Sequence, residues 1–240
     1  MEKNHRKNIE ERIATVRKLI HESALKIGKT ADQIRLIAVS KQQPIERIEA
    51  ALKAGIKYLG ENHAQEMLKK WEALGSRMTA VDWIFIGHLQ TNKVKSIVDK
   101  IAEIQTLDSV KLFKKLHEEA KTKKRRISVL IQINIGEEAT KSGILPQNLI
   151  PFLKEIMALN SHLDIQGLMA IPPYFDDAEK SRPYFRKMRE LLIETKDLFP
   201  TLNLKELSMG MSHDFQIAIE EGATQVRIGE AIFGKRISHI

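Results

Sequence analysis

The chain has 240 residues, 42% hydrophobic and 29% charged, which excludes a disordered chain and supplies a sizeable core for one large domain or two small ones. It contains no cysteine, which excludes disulfides, thiolate catalysis and cysteine–zinc sites and fits a reducing compartment. The net charge of +8 raises nucleic acid as a partner, but aromatics are 5% of residues and do not interleave with the basic ones, so no nucleic-acid platform is expected.

The first residues, Met-Glu-Lys-Asn-His-Arg-Lys, lack the apolar centre of a signal peptide, and no apolar run approaches the roughly 20 residues that span a bilayer. A cytoplasmic protein without membrane contact is expected. Ile9, Ile13, Val16, Ile20, Ala24 and Ile27 recur at steps of three and four and predict a long amphipathic helix, with Gly28 as its cap. Residues 34–41 follow, with four aliphatics in a row, as suits a parallel strand buried on both faces. This strand is expected to close on Ser40 and Lys41, with Pro44 opening a helix.

From there helical patterns at about 44–54, 63–74, 92–99, 110–121, 146–159, 178–198 and 213–220 alternate with strands at 57–60, 83–87, 102–107, 127–135, 165–169, 204–208 and 224–228. The basic run at 121–126 reads as a solvated helix end that complements the helix dipole. Strands that each lead into a helix predict an α/β fold with a parallel sheet, because every parallel crossover needs a helix. Eight such units at this length predict a single (β/α)8 TIM barrel over residues 1–240, with an extra N-terminal helix. An open doubly wound sheet would need a glycine-rich first turn, which is missing.

In such barrels the chemistry gathers at the C-terminal strand ends. Those ends read Lys41, Glu61 with Asn62, Gly87 with His88, Thr106 with Asp108, Asn134, Met169, Ser208, and Arg227 with Gly229. A lysine closing a buried strand either reaches to solvent or is pushed toward its neutral, nucleophilic form. Ser-Met-Gly-Met-Ser (208–212) and Arg-Ile-Gly-Glu-Ala (227–231) follow the last two strands, where barrels frequently bind phosphate. A phosphate clamp facing a strand-end lysine is the arrangement that pyridoxal 5′-phosphate needs, with the lysine as its Schiff base.

The strings Ala-Val-Ser-Lys (38–41), Gly-Glu-Asn (60–62), Phe-Ile-Gly-His-Leu-Gln-Thr-Asn-Lys (85–93), Gln-Ile-Asn-Ile (132–135) and Lys-Ser-Gly (141–143) carry a family resemblance. So do Gly-Leu-Met-Ala-Ile-Pro (167–172), Ser-Met-Gly-Met-Ser-His-Asp (208–214) and Val-Arg-Ile-Gly-Glu-Ala-Ile-Phe-Gly (226–234). Together they resemble the pyridoxal 5′-phosphate homeostasis family from about residue 8 to Arg236. Asp82, where histidine is expected ahead of Trp83, departs from the pattern. The resemblance implies an alanine-racemase-like barrel, and with four residues after Arg236 no C-terminal β-domain is expected. It implies that Lys41 carries the Schiff base, that Ser208, Arg227 and Gly229 hold the phosphate, and that Asn62 lies beside the ring. The sequence leaves open whether Arg227 meets phosphate or pyridine nitrogen, and phosphate is favoured.

The function implied is binding and carriage of the cofactor to control its free level, by a monomer that is not an enzyme and makes transient contact with cofactor-accepting apoenzymes. The alternative is a pyridoxal-phosphate-dependent racemase or decarboxylase. Racemisation needs a base on each face of the substrate carbon, and none of Tyr58, Tyr174 and Tyr184 is expected in that place. Gly229 to Arg236 approaches a phosphate-binding P-loop but has arginine where Ser or Thr must bind magnesium. The histidines show no metal-ligand spacing, and His63 with Glu66 reads as a solvated pair.

Overall fold

Eight parallel strands pair in chain order and close with the last against the first: β1 Arg35–Val39, β2 Tyr58–Glu61, β3 Asp82–Phe85, β4 Glu103–Leu107, β5 Ile127–Ile133, β6 Leu163–Ala170, β7 Glu206–Ser208 and β8 Gln225–Ile228. They are seen in a computed structural model that describes residues 2–75, 81–159 and 162–234; Arg236 lies outside these. The helices among the described residues are α1 Glu2–Lys26, α2 Ile45–Lys53, α3 Ala64–Leu74, α4 Val94–Ile97, α5 Val110–Thr122, α6 Leu149–Met157, α7 Arg182–Leu198, α8 Phe215–Glu220 and α9 Glu230–Phe233. The architecture is the expected α/β barrel with its N-terminal helix.

Side chains alternate across each strand, and the barrel sorts them into two layers. Ala38, Leu59, Trp83, Phe85, Ile104, Val129, Ile131, Leu168 and Val226 face outward and share one core with the helices. Ile37, Ile84, Leu130 and Met169 are buried apart from that core, along the barrel axis. On α5, Leu112, Phe113, Leu116 and Ala120 form the buried stripe, while the Ser109 hydroxyl caps the helix by accepting from Leu112 N–H. Each large side chain of such a stripe contributes about 1.5–3 kcal/mol by leaving water. α1 buries Ile9, Ile13, Val16, Ile20 and Ala24 against α8, α2 and α9, so it covers the seam where β8 meets β1.

The boundaries differ from expectation where a turn takes over the backbone. β1 ends at Val39, not Lys41: Gln43 N–H bonds back to the Ser40 carbonyl and Gln42 adopts a φ of 58°. β5 stops at Ile133, because Asn134 starts a turn closed by Glu137 N–H. The expected helices at 92–99, 146–159 and 178–198 begin as tighter 3-10 turns at Thr91–Lys93, Pro146–Asn148 and Ala178–Ser181. α9 has no expected counterpart. The basic run is only partly solvated: Arg125 donates to the carbonyls of Val98 and Ile101, and Arg126 pairs with Asp164.

Candidate cofactor site

At the C-terminal ends of the strands lies a cavity of about 700 Å³. Inward parity brings Val39 to it from β1 and Arg227 from β8, and Lys41, Asn62 and Gly229 join them from just beyond the ends of β1, β2 and β8. Lys41 is half-buried on the wall. Asn62 is pressed against Gly87, where a Cβ would stand 2.1 Å from the Asn62 carbonyl oxygen, so only glycine fits. Thr106 ties the same corner by donating its hydroxyl to the Gly87 carbonyl at 2.6 Å. Asn62 Oδ1 is buried without a hydrogen-bond partner among the described residues, an unusual condition for a polar atom.

The floor is polar. Arg227 is 3% exposed, and it donates to Ser208 Oγ at 2.5 Å and to the Ala170 carbonyl at 2.8 Å. Ser208 Oγ in turn donates to Gln105 Oε1 at 2.7 Å. Gln105 continues to Gln225 and to Glu103, and Glu103 pairs with Arg35 at 3.1 Å. A buried seam of hydrogen bonds thus runs from the cavity floor along the axis. Burial lowers the Arg227 guanidinium to about 10, with the nearby Asp214 carboxylate acting against that shift. Burial likewise raises Glu103 above the usual carboxylate range.

Two loops close one side. Gly210, at a φ of 90°, packs so close to α8 that a Cβ would meet Ala218 Cβ at 2.6 Å. Asp214 accepts from Met211 N–H at 2.7 Å, and Ser212 Oγ accepts from Ala231 N–H at 3.1 Å, locking the loop after β7 to the first turn of α9. On the opposite side Asn134 Nδ2 donates to the carbonyls of Glu138 and Lys141, folding Lys141 and Ser142 over the cavity. The rim carries exposed apolar groups at Ile171, Met211 and Tyr174, the last 75% exposed. His88 stands at the mouth 3.5 Å from Asp108, whose carboxyl burial raises although His88 opposes the shift.

Of the residues expected in the site, Lys41, Asn62, Arg227 and Gly229 line this one cavity. Ser208 does not. It is fully buried one layer below, its hydroxyl shared between Gln105 and Arg227. Sequence reasoning passed over Ser212, Asp214 and Lys141, which line the wall although the matched strings contain them. Tyr174, not expected on the face opposite Lys41, is brought to the mouth of the cavity by the loop after β6. Glu66 accepts from Lys70 and from Gln42 N–H, so the carboxylate expected to form a solvated pair with His63 is instead partly buried in these bonds. No cluster able to hold a metal occurs among the described residues, and no described helix is long and apolar enough to cross a membrane.

Residues 8–237 match the family model described as "Alanine racemase, N-terminal domain". The chain is 42% identical over 226 residues to a pyridoxal phosphate homeostasis protein of Aquifex aeolicus, covering 94% of this chain and 97% of that protein. Solved structures of PipY from Synechococcus elongatus are also similar. The form without PLP is 33% identical at a TM-score of 0.83, and the form with PLP bound is 32% identical at 0.82; both comparisons cover 94% of this chain and all of PipY. With a barrel whose strand-end cavity joins a lysine to a buried arginine, and with matches over nearly its whole length, the chain belongs to the alanine racemase N-terminal domain family and, within it, to the pyridoxal phosphate homeostasis proteins.

Proposed function

We propose that this protein binds pyridoxal 5′-phosphate at the strand-end cavity, with Lys41 as the covalent attachment point, and serves the homeostasis and carriage of the cofactor in the cytoplasm. The observation that carries this reading is the convergence of Lys41, Asn62, and Arg227 with Gly229, from three different places in the sequence, on one cavity. The residues fit the group. A half-buried amine, a buried guanidinium, a glycine turn and an orphaned amide oxygen supply an attachment point, a cation, a close approach for an anion and a partner for a ring substituent. When bound, the cofactor supplies an aldehyde that condenses with an amine to a Schiff base, releasing water. Reversibility of that bond lets a carrier both take up and give back a reactive aldehyde.

Depth separates the polar contacts. Gly229 and Ser212 are at the rim, while Arg227 lies two residues deeper on the same face, about 6–7 Å at strand rise. In this reading the phosphate rests on the Ser212 hydroxyl and the Gly229 turn. Arg227 then meets the ring from below, Ser208 holds Arg227, and Asn62 receives a ring substituent. A cation at the ring nitrogen disfavours its protonation and weakens the ring as an electron sink. That suits holding the cofactor better than turning over substrates. The exposed rim of Ile171, Tyr174 and Met211 is where a monomer would meet an apoenzyme that accepts the cofactor.

Lys41→Ala is expected to abolish covalent attachment while leaving the circular dichroism and thermal unfolding of the protein intact. Borohydride reduction followed by mass spectrometry should place the pyridoxyl group on the Lys41 peptide; finding it on Lys93 or Lys141 overturns the assignment.

The position of Tyr174 gives the racemase alternative a specific observation, since it brings a second titratable group to the mouth, 5.6 Å from the His213 ring. At 75% exposure its hydroxyl is not held toward any one point in the cavity, whereas a general base contributes its ~10²–10⁴-fold only when positioned. Loaded protein incubated with L-alanine in D₂O is expected to form little or no D-alanine. Its appearance at ordinary enzymatic turnover, on the order of 10 s⁻¹, would defeat the carrier reading.

A further inference from the structure

Behind the wall that carries Lys41, on the helix side of β1 and β2, lies a buried ionic cluster that touches the cavity nowhere. Lys70 of α3 is 6% exposed. Its ammonium donates to the Ser40 carbonyl at 2.5 Å, to Glu61 Oε1 at 2.6 Å and to Glu66 Oε1 at 2.6 Å, which uses all three of its protons. Glu61 Oε1 also accepts from the Ser40 hydroxyl at 2.7 Å, and Glu66 Oε1 from Gln42 N–H at 2.5 Å. The residues on either side of Lys41 are therefore gripped by their carbonyl, hydroxyl and amide, all referred to one ammonium.

Two further facts give this grip a purpose. Gln42 sits at a φ of 58°, a conformation that residues other than Gly, Asn and Asp rarely adopt and that persists only when the surroundings enforce it. A buried ion pair is also a poor source of stability, since a well-packed apolar group of the same volume is often as good or better. The cluster is costly as a stabiliser and exact in what it holds: a strained turn at the foot of one functional side chain.

We infer that Lys70, acting with Glu61 and Glu66, is a positioning residue that holds the Ser40–Gln43 turn so that the Lys41 amine is presented to the cofactor aldehyde. The inference rests on the reading of Lys41 as attachment point. It assigns Lys70 no contact with the cofactor, so the cluster should govern bond formation at Lys41 and leave recognition of the phosphate and ring alone.

The test compares two ligands. Pyridoxal 5′-phosphate can bond to the amine; pyridoxine 5′-phosphate, with an alcohol in place of the aldehyde, cannot. The proteins are wild type, Lys70→Met, and Lys70→Met/Glu61→Gln, the last leaving no unpaired carboxylate at Glu61 should the single variant fold poorly. Attachment is followed by the absorbance change on Schiff-base formation, and affinity for pyridoxine 5′-phosphate by calorimetry. The expected result is attachment slowed by roughly 10²-fold, the scale of a misplacement of about 1 Å, with unchanged affinity for pyridoxine 5′-phosphate. Wild-type attachment rates in the variants overturn the inference. So does a parallel loss of both ligands, or loss of the fold in both variants, since either assigns the cluster to stability. A wild-type protein never labelled at Lys41 fails the attachment reading by itself, before any variant is compared.

Discussion

Arg227 is held in place by the protein itself. Its two terminal nitrogens are directed by Ser208 Oγ and the Ala170 carbonyl, contacts that fix its rotamer and lower the entropy cost of meeting a ligand. Arg227→Gln should weaken cofactor retention by about 1.5–3 kcal/mol, or roughly ten- to a hundredfold. Arg227→Lys should not restore it, because a point charge cannot occupy both acceptors as the planar fork does. Pyridoxal, which lacks the phosphate, tells the two contacts apart. Equal losses for pyridoxal and pyridoxal phosphate place Arg227 against the ring; a loss confined to the phosphate form places it against the phosphate. That Lys41, Asn62 and Arg227 would gather at one end of the barrel was legible in the sequence, because polar residues ending apolar runs are conspicuous once the runs are read as strands, and Gly229 stood out as the glycine of the last such end. The use of Ser208 was not legible. Which way its hydroxyl is drawn depends on Gln105 of β4, a hundred and three positions earlier, and no local pattern joins the two.

At the level of elements, the site depends on how tightly strand ends abut. Gly87→Ala would drive a methyl group into the Asn62 backbone, where only 2.1 Å is available, so β2 and β3 must separate at the mouth. Overpacking of this kind costs typically about 1–3 kcal/mol, and denaturant unfolding should show that loss together with weaker cofactor retention. An unchanged midpoint would mean that the ends part freely and that the close approach carries no constraint. The eight strands and most helices follow from hydrophobic period, and the sequence reads them well. The four-residue α9 and the 3-10 starts of α4, α6 and α7 do not follow, because segments this short have no period to display and are fixed by what they pack against. The turn after β1 belongs with them: nothing in Ser-Lys-Gln-Gln announces a positive φ, and the partners that enforce it, Glu66 and Lys70, lie on a helix beyond the next strand.

Across the whole molecule, the axial seam makes stability answer to pH through Glu103. Burial holds its carboxyl above the ordinary value of 4.5, against the bonds from Gln105 and the charge of Arg35. The fold therefore binds this proton more tightly than the unfolded chain does, and the contribution is complete at low pH and lost as pH rises through the folded-state value. Relative to Glu103→Gln, which has no proton to give up, wild-type stability should fall as pH is raised from about 4.5. Parallel stability profiles for the two proteins in denaturant would show that Glu103 does not titrate in that range. The seam also has a consequence for how the protein comes into being. Its members are drawn from β1, β4, β7 and β8, so during synthesis a chain grown as far as β7 still lacks Gln225 and Arg227. The floor of the cavity is assembled only when the last strand docks against the first. A nascent or interrupted chain lacks that floor, and under the proposed function cofactor capture becomes a sign that the barrel has closed.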